Sequence, residues 1–323
     1  MPESDGYLPG CDICSHPAVY YDRNKGRHLC GAHLIADVEE RVRSCIDRYD
    51  MIRHGDRVAV GLSGGKDSSA LLVLLSKIIP DICNAGLLAI TIDEGILGYR
   101  EETVQSAVTL TKKLGVPHRI VSFESLYGSS LDTILKSDCH HPCTVCGIMR
   151  KKALSDIARE EGADSIATGH NLDDEAQSVL MNYLRGDLDR LIRRSSSRIN
   201  GGFARRIKPF LEVTEKEVTL YGILNGVSGY LPECPYASSS LRSEVRSMQA
   251  SLEYTYPGAS LRLIQGRESL SEIIGKTAGE GIIPRCRTCG EPCSGTTCQA
   301  CRLLGEISGE PGNDKKRFRA WKI

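Results

Sequence analysis

The chain has 323 residues, of which 41% are hydrophobic and 25% charged, an ordinary globular balance. Its 41 basic residues match its 41 acidic ones, so net charge points to no partner and only the local distribution of charge can. No run approaches the roughly 18 apolar residues of a membrane span, and the opening MPESDGYLPG has neither a basic nor an apolar signal region, which predicts a cytoplasmic chain with no membrane partner. In that compartment the 14 cysteines should bind metal or do chemistry rather than form disulfides.

In chain order, the first element is a metal finger over 1–34. Cys11, Cys14, Cys30 and His33 read C-x2-C-x15-C-x2-H, four soft ligands in paired spacing that fit tetrahedral Zn²⁺. The segment is rich in turn formers and poor in apolar residues, so a metal would supply its folding energy. A linking helix follows over 35–56, with Cys45 as packing. RVAVGL (Arg57–Leu62) reads as a strand that runs into SGGKDS (Ser63–Ser68) and then an apolar helix. A strand, a glycine-rich turn and a helix N-terminus make a phosphate cradle, in which Gly61, Gly64 and Gly65 admit an anion to the backbone and Lys66 adds charge. The string is not a Walker A motif, because Val60 and Asp67 occupy two of its fixed positions.

The pattern continues as α/β. GLLAITID is a strand ending at Asp93, Arg100–Gly115 is helical, HRIVSF is a strand, Arg150–Glu161 is helical and DSIATG is a strand. NLDDEAQSVLMNYL then opens a helix with acids in its first turn. Strands alternating with helices imply a doubly wound parallel sheet, with ligands at the carboxyl ends of the strands. Ser63–Ser68, Asp93 and the stretch from Gly169 to Asp174 all fall at such ends. Asp173 and Asp174 could hold Mg²⁺ on phosphates, or simply cap the helix. The expectation is one of each, with Asp174 functional. Cys286, Cys289, Cys298 and Cys301 read C-x2-C-x8-C-x2-C, a second zinc site over 281–308 in which Cys293 is a spare thiol.

Five cysteines remain: Cys83, just after a Pro-Asp turn, reads as packing, Cys139 lies close before the next pair, and Cys143, Cys146 and Cys234 stand out. Cys143 and Cys146 are expected just before a helix whose Arg150, Lys151 and Lys152 favour thiolates. Three cysteines are an odd count for disulfides and would suit a cluster with one open iron, although spacing alone does not bring Cys234 to the pair.

SGGKDS resembles the pyrophosphate-loop signature of the ATP-pyrophosphatases, and TGHNLDDEA the second signature of tRNA-modifying members. The ordered set of finger, SGGKDS, PCxxCG, GHNLDDEA, RRIKPF, ECPY and ribbon resembles the TtuA/NcsA family of tRNA 2-thiouridine synthetases across nearly the whole chain. That resemblance implies an adenine nucleotide alpha-hydrolase-like catalytic domain over 57–280, flanked by zinc-finger modules and followed by a basic tail over 309–323. It implies ATP on Gly61, Ser63, Gly64, Gly65, Lys66, Asp67, Ser68, Asp93 and Gly169, with Mg²⁺ and with Lys66, Asp67 and Asp174 in catalysis. It also implies a [4Fe–4S] cluster on Cys143, Cys146 and Cys234, all three catalytic, with Cys139 a departure from the pattern. The implied reaction is adenylation of the uridine 2-oxygen, then sulfur transfer. The sulfur donor would be a ubiquitin-like thiocarboxylate protein or free sulfide, and a homodimer is one candidate assembly.

Basic residues fit tRNA despite the net neutrality. Arg185 to Lys208 holds eight cations, among them Arg193, Arg194, Arg205 and Arg206; the tail has five more, including Lys315, Lys316 and Arg317, beside Phe318 and Trp321. Competing readings are a pyrophosphate-loop lysidine synthetase or amide-forming ligase with no cluster, a persulfide-based thiolase, and a non-enzymatic RNA-binding finger protein.

Overall fold

The structure, a computed structural model, describes residues 9–82, 84–137, 141–192, 203–227, 234–236, 241–278, 284–293 and 295–307. The chain opens on a short antiparallel hairpin, β1 (Tyr20–Asp22) and β2 (Arg27–Leu29). Helix α1 (Gly31–Arg48) follows at once, earlier than the start at 35 that the sequence suggested, because Cys30 already has extended N-cap geometry. Its buried residues Leu34, Val38, Val42 and Cys45 recur at helical spacing, so one stripe joins the main core. Arg41 on the same helix reaches Glu217 at 2.6 Å.

The α/β body comes next: β3 (Arg57–Gly61), α2 (Lys66–Ile78), β4 (Gly86–Asp93), α3 (Arg100–Leu114) and β5 (His118–Ser122). Two short helices, α4 (Phe123–Tyr127) and α5 (Leu131–Ser137), lead to α6 (Pro142–Glu160) and β6 (Ser165–Ala167). Then come α7 (Leu172–Leu184), α8 (Leu188–Ile192), β7 (Arg205–Ile207) and α9 (Glu215–Leu224). Helices α10 (Leu241–Thr255), α11 (Ala259–Ala278) and α12 (Gln299–Ile307) complete the described chain.

The five body strands form one parallel sheet in the order β5-β4-β3-β6-β7. Side chains alternate between its faces. Val58 and Val60 join α1, α2 and α9 residues in one core, whereas Ala59 lies with Met149, Ala153 and Ile157 of α6 in the other. Both faces are covered, so the strands read as near-continuous apolar runs. From β3 the chain builds outward through β4 to β5, then returns to lay β6 on the other side of β3. That reversal opens a crevice at the carboxyl ends of β3 and β6.

One boundary differs usefully from the sequence reading. Helix α6 starts at Pro142, not near Arg150, so Cys143 and Cys146 stand inside its first turns. Proline tolerates the first helical position, where its missing N–H costs nothing and its φ is already helical.

Candidate active site and cysteine centres

The Ser63–Ser68 loop fills the crevice. The Ser68 hydroxyl accepts from the Ser63 N–H at 3.1 Å and donates to the Gly65 carbonyl at 3.0 Å, which closes the turn on itself. The Gly65 N–H donates to the Ser63 hydroxyl at 3.2 Å. Gly64 has φ +83°, and a Cβ there would lie 2.0 Å from the Thr103 carbonyl oxygen, so only glycine fits. A Cβ on Gly169, beyond β6, would lie 2.8 Å from the Ser68 nitrogen, so the second signature packs directly on the first. Helix α2 has Gly65 as its N-cap and no capping side chain. Its first N–H groups and positive dipole end are therefore left for an anion.

Lys66 Nζ lies 2.8 Å from Asp67 Oδ1 and 3.0 Å from Glu215 Oε1. Burial would lower the Lys66 pKa, but those two carboxylates outweigh it and hold the ammonium charged. Burial pushes the Asp67 carboxyl up despite Lys66, and the charges of Glu215 and Asp174 add to that. Asp173 and Asp174 divide their tasks differently from the sequence expectation. Asp174 completes a capping box with Asn171, while Asp173 accepts from the Glu215 N–H at 2.6 Å and from Gln249 at 2.7 Å. Both Asp173 oxygens are thus spent on α9 and α10. Asp174 keeps one oxygen turned toward Arg242, at 3.7 Å, with its charge felt at Asp67. At the end of β4, Asp93 Oδ1 accepts from the Gly95 N–H at 2.9 Å. Gly61, the last residue of β3, abuts Leu154. Glu215 was not found from sequence, because it lies 149 positions from Lys66 and carries no motif.

Cys143 and Cys146 on α6 meet the segment that carries Cys234. Cys143 Sγ lies 3.4 Å from the Tyr236 carbonyl, two residues past Cys234. Cys146 and Cys234 both pack on the apolar core under α6. Burial pushes the Cys146 thiol up to about 11; Arg150 works against that, while Glu94, Cys234 and Cys143 add to it. At Cys146, then, desolvation outweighs the guanidinium that was expected to favour a thiolate. The Tyr236 hydroxyl donates to Asp132 at 2.8 Å, whose other oxygen accepts from the Leu97 N–H at 3.0 Å. Asp132 thereby ties the Cys234 segment to the loop after β4.

The terminal cysteine sets are built differently. In each, all four ligand atoms lie within 4.8 Å of one another, and among the described residues these are the groups able to hold a single metal ion. Cys14 and Cys30 sulfurs are 3.7 Å apart, as are Cys289 and Cys298. A tetrahedron with Zn–S of about 2.3 Å has edges of about 3.8 Å. The two sets share a plan. A backbone bridge, Gly10 with Pro17 or Arg285 with Pro292, closes a knuckle around the first pair. The second pair, Cys30 and His33 or Cys298 and Cys301, sits at the start of a helix. Hydrogen bonds from the Cys289 and Cys301 thiols push Cys298 down to about 4. Cys293 stays outside the quartet, its sulfur 2.9 Å from the Gly295 carbonyl. Cys143, Cys146 and Cys234 are not among these single-ion groups of the described residues.

The basic stretch is partly a correction. Arg205 is buried, and its guanidinium donates to the Asp50 carbonyl at 2.9 Å, the Met51 carbonyl at 3.3 Å and Asp56 at 3.0 Å. Arg206 donates to the Lys151 carbonyl at 2.9 Å and the Ser155 hydroxyl at 2.8 Å. Both clamp β7 to its neighbours, and the buried Arg205 is not available to tRNA. Arg193, Arg194, Lys315, Lys316, Arg317 and Cys139 lie outside the described residues.

A parallel sheet with a reversal beside β3, whose central strand enters an uncapped Ser-Gly-Gly-Lys-Asp-Ser turn, defines a nucleotide domain of the pyrophosphate-loop class. Residues 35–230 match the PP-loop domain family. The chain is 36% identical over 316 residues to tRNA 2-thiolation protein NcsA of Haloferax volcanii, covering 92% of this chain and 98% of that one. It is 33% identical to cytoplasmic tRNA 2-thiolation protein 1 of Saccharomyces cerevisiae, covering 91% and 85%. Its structure resembles the U34-tRNA thiolase NcsA from Methanococcus maripaludis with its [4Fe-4S] cluster, at TM-score 0.82 and 34% identity over 95% of this chain and 98% of that one. The chain belongs to the PP-loop family of tRNA 2-thiolation proteins.

Proposed function

We propose that the protein is an ATP-dependent tRNA-uridine 2-sulfurtransferase. The observation that carries this reading is an uncapped phosphate loop together with three cysteines that α6 and the Cys234 segment bring near one another, in a chain of the PP-loop family of tRNA 2-thiolation proteins. ATP lies with its phosphates on the Ser63–Ser68 amides. Lys66, steadied by Asp67 and Glu215, offsets the charge on the departing pyrophosphate. Asp67 and Asp174 supply carboxylates for Mg²⁺ on the phosphates. The uridine 2-oxygen attacks the α-phosphorus and the bond to the β-phosphate breaks. Sulfide then adds at C2, and AMP leaves with the oxygen.

Cys143, Cys146 and Cys234 hold the cluster, which when bound supplies an open iron able to carry sulfide. The apolar floor under Cys146 and Cys234 keeps water from that side. The terminal quartets hold one structural Zn²⁺ each, in the finger over 1–34 and the ribbon over 281–308. The described helices include none long and apolar enough to cross a membrane, and the cytoplasmic relative fits a cytoplasmic enzyme. The sulfur donor is a ubiquitin-like thiocarboxylate protein or free sulfide, and the assembly to test is a homodimer. Cations outside the described residues, Arg193 and Arg194 with the tail from Lys315 to Arg317, carry the tRNA phosphate contacts.

The test is anaerobic single-turnover reaction of purified protein with ATP, sulfide and unmodified tRNA, read by nucleoside mass spectrometry. The reading requires 2-thiouridine with one AMP and one pyrophosphate per event. ADP with phosphate, or lysidine in place of the thionucleoside, would sink it.

A further inference from the structure

Glu94, directly after β4, has no part in the chemistry described so far, yet it is only 2% exposed. Two guanidinium groups share its carboxylate. Arg100 Nε lies 2.7 Å from Glu94 Oε2, and Arg150 Nη1 lies 3.5 Å from Glu94 Oε1. Asp93 adds a second carboxylate 4.0 Å from Arg100 Nε. The rest of Arg100 is committed to the phosphate loop and its supports. Its Nη1 donates to the Ser63 carbonyl at 2.9 Å and the Thr103 hydroxyl at 2.8 Å, and its Nη2 to the Ile92 carbonyl at 2.6 Å. At the other end, Arg150 stands four residues after Cys146 on α6, one turn along the same face.

One chain of contacts therefore runs from the Ser63 carbonyl through Arg100, Glu94 and Arg150 to the turn that carries Cys143 and Cys146. Stability is a weak reason for such a group, because buried ions lose hydration that an apolar set of the same volume would not. Nor is the pair well satisfied: Glu94 Oε2 and Arg100 Nε are both buried without an aligned hydrogen bond. A contact held by charge rather than by directed bonds responds to new charge at either end.

We propose that Glu94 is a positioning residue that couples the phosphate loop to the central cysteines, holding Arg100 against Ser63 with one oxygen and Arg150 against the Cys146 turn with the other. A nucleotide that pulls on the loop amides shifts Ser63 and Arg100, and Glu94 passes the shift to Arg150. By linkage, what binds at the cysteines acts back on the nucleotide. The inference rests on the reading that ATP occupies the loop and a [4Fe–4S] cluster the cysteines.

The experiment is electron paramagnetic resonance of the anaerobic, chemically reduced protein, with and without a non-hydrolysable ATP analogue. Iron content and analogue affinity are measured on the same samples. In the wild type the analogue should change the cluster spectrum. Glu94→Gln should keep its iron and hold analogue affinity within about threefold, yet lose that spectral change. Arg150→Gln should lose it equally. The Arg150 side chain is 52% exposed, so this variant decides the matter alone if Glu94→Gln fails to fold. A wild type that binds both groups without a spectral change overturns the proposal, as does either variant that keeps the change. Absence of iron or of analogue binding in the wild type instead sinks the underlying reading, and the inference falls with it.

Discussion

The terminal cysteine sets and the central cysteines use the same side chain for opposite ends. Each terminal set draws its ligands from a knuckle and a helix start close by in sequence, packs them to single-ion distances and leaves no ligand position spare. The central three come from the first turns of α6 and from a segment nearly ninety residues further on, and they are not among the single-ion groups of the described residues. Closed local sets can fold a segment that has little apolar core. A set assembled by the tertiary fold needs that fold first, and in the proposed reading it holds the cluster that carries the chemistry. The difference makes stability the readout for the ends and chemistry the readout for the middle.

The largest expected effect is on the ends. Cys286 is 2% exposed within its quartet. Cys286→Ser should cost about 4 kcal/mol or more of stability and remove one zinc per chain, measured by denaturation and metal analysis. A folded variant with unchanged zinc would break the comparison at that point. In the middle the pattern reverses. Cys143→Ala should change stability by no more than about 1 kcal/mol while iron and 2-thiouridine formation are lost. Zinc content should stay at the wild-type value.

The phosphate loop sharpens the contrast within the active site. Lys66→Ala should lower ATP-dependent pyrophosphate release by about 100-fold or more, with iron and zinc retained. Equal turnover by this variant would place the charge stabilisation elsewhere. Glu215→Gln, which removes one of the two carboxylates on Lys66, should lower turnover by only about tenfold, because Asp67 still holds the ammonium. The smallest effect is reserved for the spare thiol. Cys293→Ser should leave both metals in place and stability within about 0.5 kcal/mol, since Cys293 belongs to neither kind of set.

Much of this was legible in the sequence because it is local. RVAVGL and GLLAITID read as buried parallel strands because both sheet faces are covered, and they are β3 and β4. SGGKDS read as an anion cradle because a strand, glycines and a following helix lie together there and the whole string resembles the pyrophosphate-loop signature. The start of α6 was missed. The Cys-Thr-Val-Cys-Gly run is a poor helix former, and the signal that could have placed it was Pro142 at the first position. Arg205 and Arg206 were read as surface charge because composition does not reveal a partner. Their acceptors, Asp50, Met51, Asp56, Lys151 and Ser155, are set only by tertiary packing. Glu215, Arg100 and Glu94 were invisible for the same reason: their roles rest on contacts across the sheet end, not on a spacing.

The central proposal is that activation at the phosphate loop and sulfur transfer at Cys143, Cys146 and Cys234 are separate half-reactions. The most direct measurement is single-turnover reaction of anaerobic Cys234→Ala with ATP and tRNA, scoring pyrophosphate and 2-thiouridine in the same tube. The account predicts pyrophosphate released with no thionucleoside formed. Thiolation at the wild-type rate by this variant, with no iron bound, would contradict it.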